Sequence, residues 1–280
     1  MATVEHEART GSGLPENHAA ALAALREGRP ALVWRRLIAD TETPVSAAIK
    51  LIQPGRGDFL LESVQGGEVR GRYSLLGIDP DLVFRVTGHT AEMNRQWRQD
   101  RDAFAPLPGD SLAELRALVA ACHIDVPAEL PSALACLVGY FGYETIGLVE
   151  RLPRAPQSAL ELPDMLFVRP TVLLVFDRLS DELFAIAPVW AGEGDPARLI
   201  ETAADRIDDA LRRLAGPAPA EAPLAMPSEI ERTPVMPAGR YAAMVDRAKG
   251  YIEAGDIFQV VLAQRFTAPF PLPPMALYRS

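Results

Sequence analysis

Two cysteines and four histidines in 280 residues leave little material for a metal centre or a disulfide scaffold. His6, His18, His89 and His123 show neither ligand spacing nor clustering, which argues against zinc. Cys122 and Cys136 allow at most one disulfide, and two thiols in a chain without a leader are more often reduced residues. Positive charge is also in deficit. Against 37 Asp and Glu stand 28 Lys and Arg, a net charge of -9, so the surface is not built to neutralise phosphates and nucleic acid is not expected as a partner. Long hydrophobic runs are missing too: the longest uncharged stretch, Leu130–Tyr143, is too short to span a bilayer and is interrupted by Pro131. The opening MATVEHEART carries Glu5 and Glu7 and no apolar core, so neither a secretory signal nor an acid-poor transit peptide is read there. The expectation is a cytoplasmic protein with no membrane partner.

What is present is enough for a core, with 49% hydrophobic and 23% charged residues, in one large or two modest domains. Glu16–Glu27 reads as an alanine-rich helix ending at Gly28 and Pro30. Strand-like runs follow at Ala31–Leu37, Ser46–Leu51, Phe59–Gln65, Tyr73–Ile78 and Leu82–Val86. They are separated by PGRG at 54–57, GG at 66–67 and Asp79–Pro80, the punctuation of an antiparallel meander. Asp110 or Ser111 caps a helix whose apolar face is Leu112, Leu115, Leu118, Val119 and Cys122. Ala133–Tyr140 and Thr171–Phe176 are further strands, and the latter pairs with Leu183–Val189 across DRLSDE. Asp195 caps and Pro196 opens a helix that ends at Gly216. Prolines 217, 219, 223, 227, 234 and 237 then mark a semi-stiff connector. Tyr241–Ile252 keeps helical spacing to Gly255, and Ile257–Phe266 alternates as a strand. Strands with interspersed helices and no βαβ rhythm favour an α+β sandwich over a doubly wound sheet. The domains are expected at 1–214 and 239–280, with a connector over 215–238.

Two places could carry chemistry. Gln259 is the polar exception on a strand that is apolar on both faces, and a buried unpaired amide costs about 1–3 kcal/mol. On pattern alone it is either an amide satisfied by a neighbouring loop or a site residue. Glu62 and Ser63, in LLES, lie on opposite faces of a strand and meet one ligand most easily at its end. Here the pattern alone favours a solvated strand edge over a ligand contact for Glu62. Gly139 and Gly142 belong to no GxGxxG and no Gly-Lys-Ser/Thr, so close strand packing, not a phosphate loop, accounts for them.

GDIFQVVLAQRF (255–266), with RYAAMVDRAKGYIEAGDI leading into it, resembles the opening strand of the chorismate-binding domain of anthranilate synthase component I. DTETPVSAAIKL (40–51), LLES with GRYSLLG (60–63, 71–77), GYFGYE (139–144) and LPDMLFVRPTVLLVFDR (162–178) resemble further segments of that family. The resemblance implies an antiparallel sandwich with flanking helices, followed by a catalytic domain of which only the start is present. It implies that Glu62 and Ser63, with Arg72 a looser match, hold free tryptophan as feedback inhibitor. It also implies that Gln259 lies in the active site, where water-adding relatives carry lysine. A lysine can act as the base that activates water, whereas ammonia needs none. Chorismate as substrate, ammonia from a glutamine amidotransferase subunit and Mg2+ complete what the family suggests; the magnesium ligands are expected beyond Ser280. Aminodeoxychorismate synthase, and a non-catalytic tryptophan- or partner-binding module, are the alternatives.

Overall fold

Residues 17–62, 71–151, 160–219 and 230–280 are described by the computed structural model, in two units, Met1–Pro219 and Ala220–Ser280. In the first, α1 (His18–Arg26) leads to β1 (Ala31–Ile38). Helix α2 (Pro44–Leu51) precedes β2 (Phe59–Glu62), β3 (Tyr73–Ile78), β4 (Leu82–Thr87), β5 (Thr90–Asn94) and the short β6 (Ala105–Pro106). Helix α3 (Ser111–Ala121), β7 (Val138–Phe141) and a 3-10 turn (Tyr143–Leu148) lead to β8 (Met165–Arg169), β9 (Val172–Asp177), β10 (Glu182–Val189) and α4 (Pro196–Ala215).

The strands form two five-stranded sheets, ordered β1-β10-β9-β3-β2 and β6-β5-β4-β8-β7, with every pairing antiparallel. Alternate side chains of the first sheet (Trp34, Leu75, Leu173, Val175, Ile186) share one core cluster with Leu82, Phe84, Val86 and Met165 of the second. Helix α3 adds Leu115, Leu118 and Cys122 to it. The intervening residues of the first sheet, among them Leu76, Leu174, Leu183 and Ala185, are also buried, and α2 and α4 pack on its strands. The apolar stripe of α4, Ile200, Ala203, Ile207, Ala210 and Leu214, recurs every three or four residues. Asp195 caps that helix by accepting from Arg198 N at 3.1 Å.

The sheets are joined by two crossings that lie side by side. β3 continues into β4 through Asp79–Asp81, and β8 into β9 through Pro170 and Thr171. Thr171 N donates to Ile78 O at 3.2 Å and Asp81 N to Arg169 O at 3.1 Å, so the ladder runs on through the bend. Asp79 takes a left-handed conformation, φ 53°, held on one side by Asp58 Oδ1 accepting its N–H at 2.9 Å and on the other by Thr171 Oγ1 donating to its carbonyl at 2.7 Å. Arg169 pins the bend with two bonds to Asp81, at 2.7 and 2.9 Å, and stacks 4.7 Å from the centre of the Trp190 ring.

Several expectations are corrected. Ser46–Leu51 is helical: Thr43 Oγ1 accepts from Ser46 N at 3.1 Å, Pro44 opens the first turn, and the buried residues Pro44, Ala47, Ala48 and Leu51 keep helical spacing. The meander fails because β3 and β4 belong to different sheets. The strand expected over 133–140 is confined to Val138–Phe141. Val119 is 53% exposed and off the buried face of α3. Gly139 and Gly142 do mark close approach, since a Cβ on either would press on the backbone of Leu166 or Asp164.

The second unit holds β11 (Thr233–Pro234), α5 (Arg240–Glu253), β12 (Phe266–Thr267) and α6 (Pro274–Arg279). Of the expected last strand, Ile257–Phe266, only Phe266 is paired, opposite Pro234, with Thr267 beside it opposite Thr233. Ile257–Arg265 forms no strand, because a strand needs a neighbour along its length, and among the described residues only its last residue meets one, Arg265 O accepting from Val235 N at 2.9 Å. Phe258 is 93% exposed.

Arg169 is largely but not fully buried, and desolvation opposes its charge; the paired Asp81 outweighs that and raises its pKa. Asp81→Ala strands this guanidinium and is expected to destabilise the first unit by about 3 kcal/mol. Glu193→Ala removes only the longer, half-exposed contact at 3.5 Å and is expected to cost less than about 1 kcal/mol. Urea titration of the two variants checks the contrast; equal losses would remove Asp81 from its role at the bend.

Candidate functional site

Pairing across β2, β3 and β9 assembles a polar cluster at one end of the first sheet. Glu62, the last residue of β2, stands opposite Ser74, and Ser74 opposite Phe176. The next residue along β3 and its partner on β9, Tyr73 and Asp177, face each other. Opposed residues project to the same face and neighbours along a strand to opposite faces. Glu62 and Ser74 therefore share one face, and Tyr73 and Asp177 the other.

Arg178, just past β9, serves the first face. Its Nη2 bonds the Glu62 carboxylate and lies 3.3 Å from Ser74 Oγ. The Glu62 side chain is 8% exposed and that of Arg178 42%, so the carboxylate is largely sunk and the guanidinium reaches solvent. Arg72 serves the second face: its Nε donates to Asp177 Oδ1 at 2.7 Å, and its guanidinium sits 4.9 Å from the Tyr73 ring centre. The Arg178 N–H donates to Arg72 O at 3.0 Å, which ties the two halves together. Arg72 holds the Asp177 carboxyl below the usual carboxylate range; burial opposes this and the Leu179 N–H assists it. Reciprocally, the Asp177 bond raises the Arg72 pKa.

The structure thus brings Glu62 and Arg72 to one end of one sheet. Ser63 lies outside the described residues. Gln259 belongs to the second unit, exposed in the stretch that forms no strand. Sequence reasoning missed Arg178, Ser74 and Asp177. Ser74 was within reach, because pairing LLE with YSLL in a hairpin puts it opposite Glu62. Arg178 and Asp177 close the run VLLVFDR, and only the β3–β9 pairing shows that they meet Glu62 and Arg72. Two carboxylates and two guanidiniums make the cluster neutral, with opposite charges side by side. Chemically it suits a zwitterion.

The Asp177 carboxyl, held below its ordinary 3.8, binds a proton more weakly in the folded chain than in the unfolded one. Its contribution to stability is complete above about pH 4 and is lost as pH falls through the lower folded value. Asp177→Asn is expected to flatten the acid limb of the stability curve below about pH 4 and to lower stability at neutral pH. Thermal melts between acid and neutral pH check it; parallel curves for the variant and parent would rule out Asp177 as a source of the acid limb.

The comparisons bear on these segments together. Residues 58–280 match the family model described as chorismate binding enzyme, a stretch that includes Glu62, Arg72, Asp177, Arg178 and Gln259. The chain is 45% identical over 257 residues to a Cereibacter sphaeroides protein named "Anthranilate synthase component 1", covering 91% of this chain and 51% of that one. A Thermus thermophilus protein of the same name is 36% identical over 248 residues, covering 88% and 49%. The chain spans about half the length of these curated relatives. A solved structure, "Crystal structure of anthranilate synthase component I from Streptococcus pneumoniae TIGR4", superposes with a TM-score of 0.60 at 24% identity, over 88% of this chain and 51% of that one, a likeness of fold. With its match running from β2 through the last residue, the chain belongs to the chorismate-binding enzyme family.

Proposed function

We propose that this chain is the amino-terminal part of anthranilate synthase component I. The observation that carries the reading is the 45% identity sustained over 257 residues with a protein of that name. The complete enzyme would take chorismate and ammonia to anthranilate, pyruvate and water. Ammonia adds to the ring as the hydroxyl leaves, and loss of pyruvate makes the ring aromatic. The ammonia would come from a glutamine amidotransferase subunit. Residues 1–214 are read as the regulatory domain, 215–238 as the connector and 239–280 as the start of the catalytic domain. The single core shared by two antiparallel sheets supports describing the regulatory domain as a sandwich. A cytoplasmic setting fits the acidic composition, and no helix among the described residues is long and apolar enough to cross a membrane.

Magnesium is the cofactor this reading implies, to counter the charge of a dianionic substrate. No group of three or more His, Cys, Asp or Glu among the described residues could hold a metal ion. The described residues do not fit magnesium.

Within the regulatory domain, Glu62, Ser63 and Arg178 are read as the contacts for free tryptophan. The ammonium would approach Glu62 and the carboxylate the exposed edge of Arg178, each a charge-assisted bond. Arg72, fully engaged with Asp177, acts as support for that end of the sheet. Tryptophan bound there would shift the enzyme towards a less active state by reciprocal coupling between two sites.

The reading is tested on the complete reading frame with chorismate, magnesium and ammonium, following anthranilate fluorescence. An aminated product that keeps its pyruvyl group would instead mark the aminodeoxychorismate reaction. In the active enzyme, Glu62→Gln or Arg178→Ala is expected to weaken tryptophan inhibition about thirtyfold, the loss of one charge-assisted contact of about 2 kcal/mol, with chorismate turnover nearly unchanged. A parallel fall in turnover and inhibition would make the cluster structural. Gln259→Lys is expected to lower the ammonia-dependent rate, because the new cation sits near the substrate's carboxylates, with at most a small hydroxylated by-product. Chromatography of the products decides; an unchanged rate and a single product would place Gln259 outside the reaction.

A further inference from the structure

A cleft of about 590 Å³ runs beside β1, the strand at one end of its five-stranded sheet. Trp34 and Phe184 of the sheet line it, with Ala20 and Ala24 of α1 and the segment from His123 to Glu129. The direction of the backbone groups on β1 follows from its partner. Leu32 stands opposite Pro188, which has no N–H to give, so this pair exchanges no hydrogen bonds and the backbone groups of Leu32 point away from β10. Asn17 Nδ2 donates to that outward carbonyl at 2.5 Å. Strand alternation turns the N–H and C=O of Trp34 and Arg36 to the same open edge, and no backbone partner meets them among the described residues. Asn17 Oδ1 is buried and also has no partner among the described residues. The cleft therefore presents a row of main-chain donors and acceptors, a buried acceptor in want of an N–H, and a wall formed by the largely buried rings of Trp34 and Phe184.

We propose that this edge takes up an extended acidic segment of a partner protein, which adds to the five-stranded sheet as a strand beside β1. Main-chain bonds to Trp34 and Arg36 and an N–H to Asn17 Oδ1 hold it, as in other strand additions to an open sheet edge. Charge selects its side chains. Arg29 and Arg36 line the cleft with side chains 62% and 56% exposed. Each is engaged with one carboxylate, Glu27 or Glu182, and a guanidinium has donors for another. Asp125 and Glu129 on the facing wall repel acids there, so acidic residues are confined to the β1 side and an apolar residue turns towards Trp34 and Phe184.

Panning random octapeptides against the 280-residue chain, then measuring resynthesised binders by fluorescence anisotropy, tests it. Arg36→Pro deletes an outward N–H and keeps every β1–β10 bond, a place where proline is tolerated. The enriched peptides are expected to alternate acidic and apolar residues. Arg36→Pro should weaken them about tenfold and Arg36→Ala only about threefold, the difference being the main-chain bond. Should the proline variant lose its circular-dichroism spectrum, Ala24→Trp, which fills the cleft from the helix side, is expected to abolish binding with β1 intact. No enrichment over an unrelated acidic bait, or equal binding by the parent and both variants, would overturn the proposal. So would a concentration-dependent dimer abolished by the same substitutions, because a second copy would then be the occupant.

Discussion

One bent ribbon governs the first unit. β3 pairs with β9 in one sheet and β4 with β8 in the other, so two strands, each kinked between Ile78 and Val172 on one side and Leu82 and Arg169 on the other, belong to both layers. A bend of this kind puts the ladder at risk, and every backbone polar group left there without a partner would be costly. Thr171, Asp58 and the bonds from Thr171 N and Asp81 N supply the partners. Arg169 contributes a charge that burial alone would disfavour; Asp81 reverses the balance, and the Trp190 ring covers the guanidinium face. The shared core depends on that bend, because it folds the second sheet over the first.

The register set at the bend runs out to the polar cluster. From Ile78 opposite Val172, successive pairs reach Tyr73 opposite Asp177, and β2 then places Glu62 opposite Ser74. A slip of one residue would exchange the two faces, sending Ser74 to the core and Leu75 to the helices. Arg178 meets Glu62, and Arg72 meets Asp177, only in the register observed. The cluster is thus a consequence of packing more than a hundred residues apart in sequence, as the Arg178 and Arg72 pairs illustrate.

Features set by local chemistry were legible in the sequence. Asp110 and Asp195 cap their helices where expected, and the hairpin of β9 and β10 follows from two apolar runs flanking DRLSDE. The failures come from competition between periods. Ser46–Leu51 satisfies alternation over a few residues, yet Thr43-Pro44 in front of it is a helix start, and Pro44, Ala47, Ala48 and Leu51 bury one helical stripe. The meander failed for a different reason: turn residues announce a reversal but do not say whether the next strand pairs with the last or crosses to another layer. Of the candidate site, Glu62 and Arg72 were readable through resemblance. Arg178 and Asp177 needed the non-local pairing of β3 with β9.

Ile257–Arg265 shows the same limit from the other side. Its residues have high strand propensity and alternate faithfully, but propensity of this kind is worth at most about 1 kcal/mol per residue, and a strand without a neighbour forms no ladder. Phe258 and Val261 are 93% and 83% exposed, an arrangement that water opposes at about 25 cal/mol for each Å² of apolar surface. Helix α5 likewise buries none of its residues, although Tyr241, Met244, Val245 and Ile252 follow helical spacing. Helix α5 and the would-be strand each leave apolar side chains exposed, Tyr251 and Ile252 on the one, Phe258 and Val261 on the other, and a facing surface would cover both. Where that surface is supplied, burial on both sides would draw Ile257–Phe266 into register, and the position of Gln259 along it would then be set by its new neighbours.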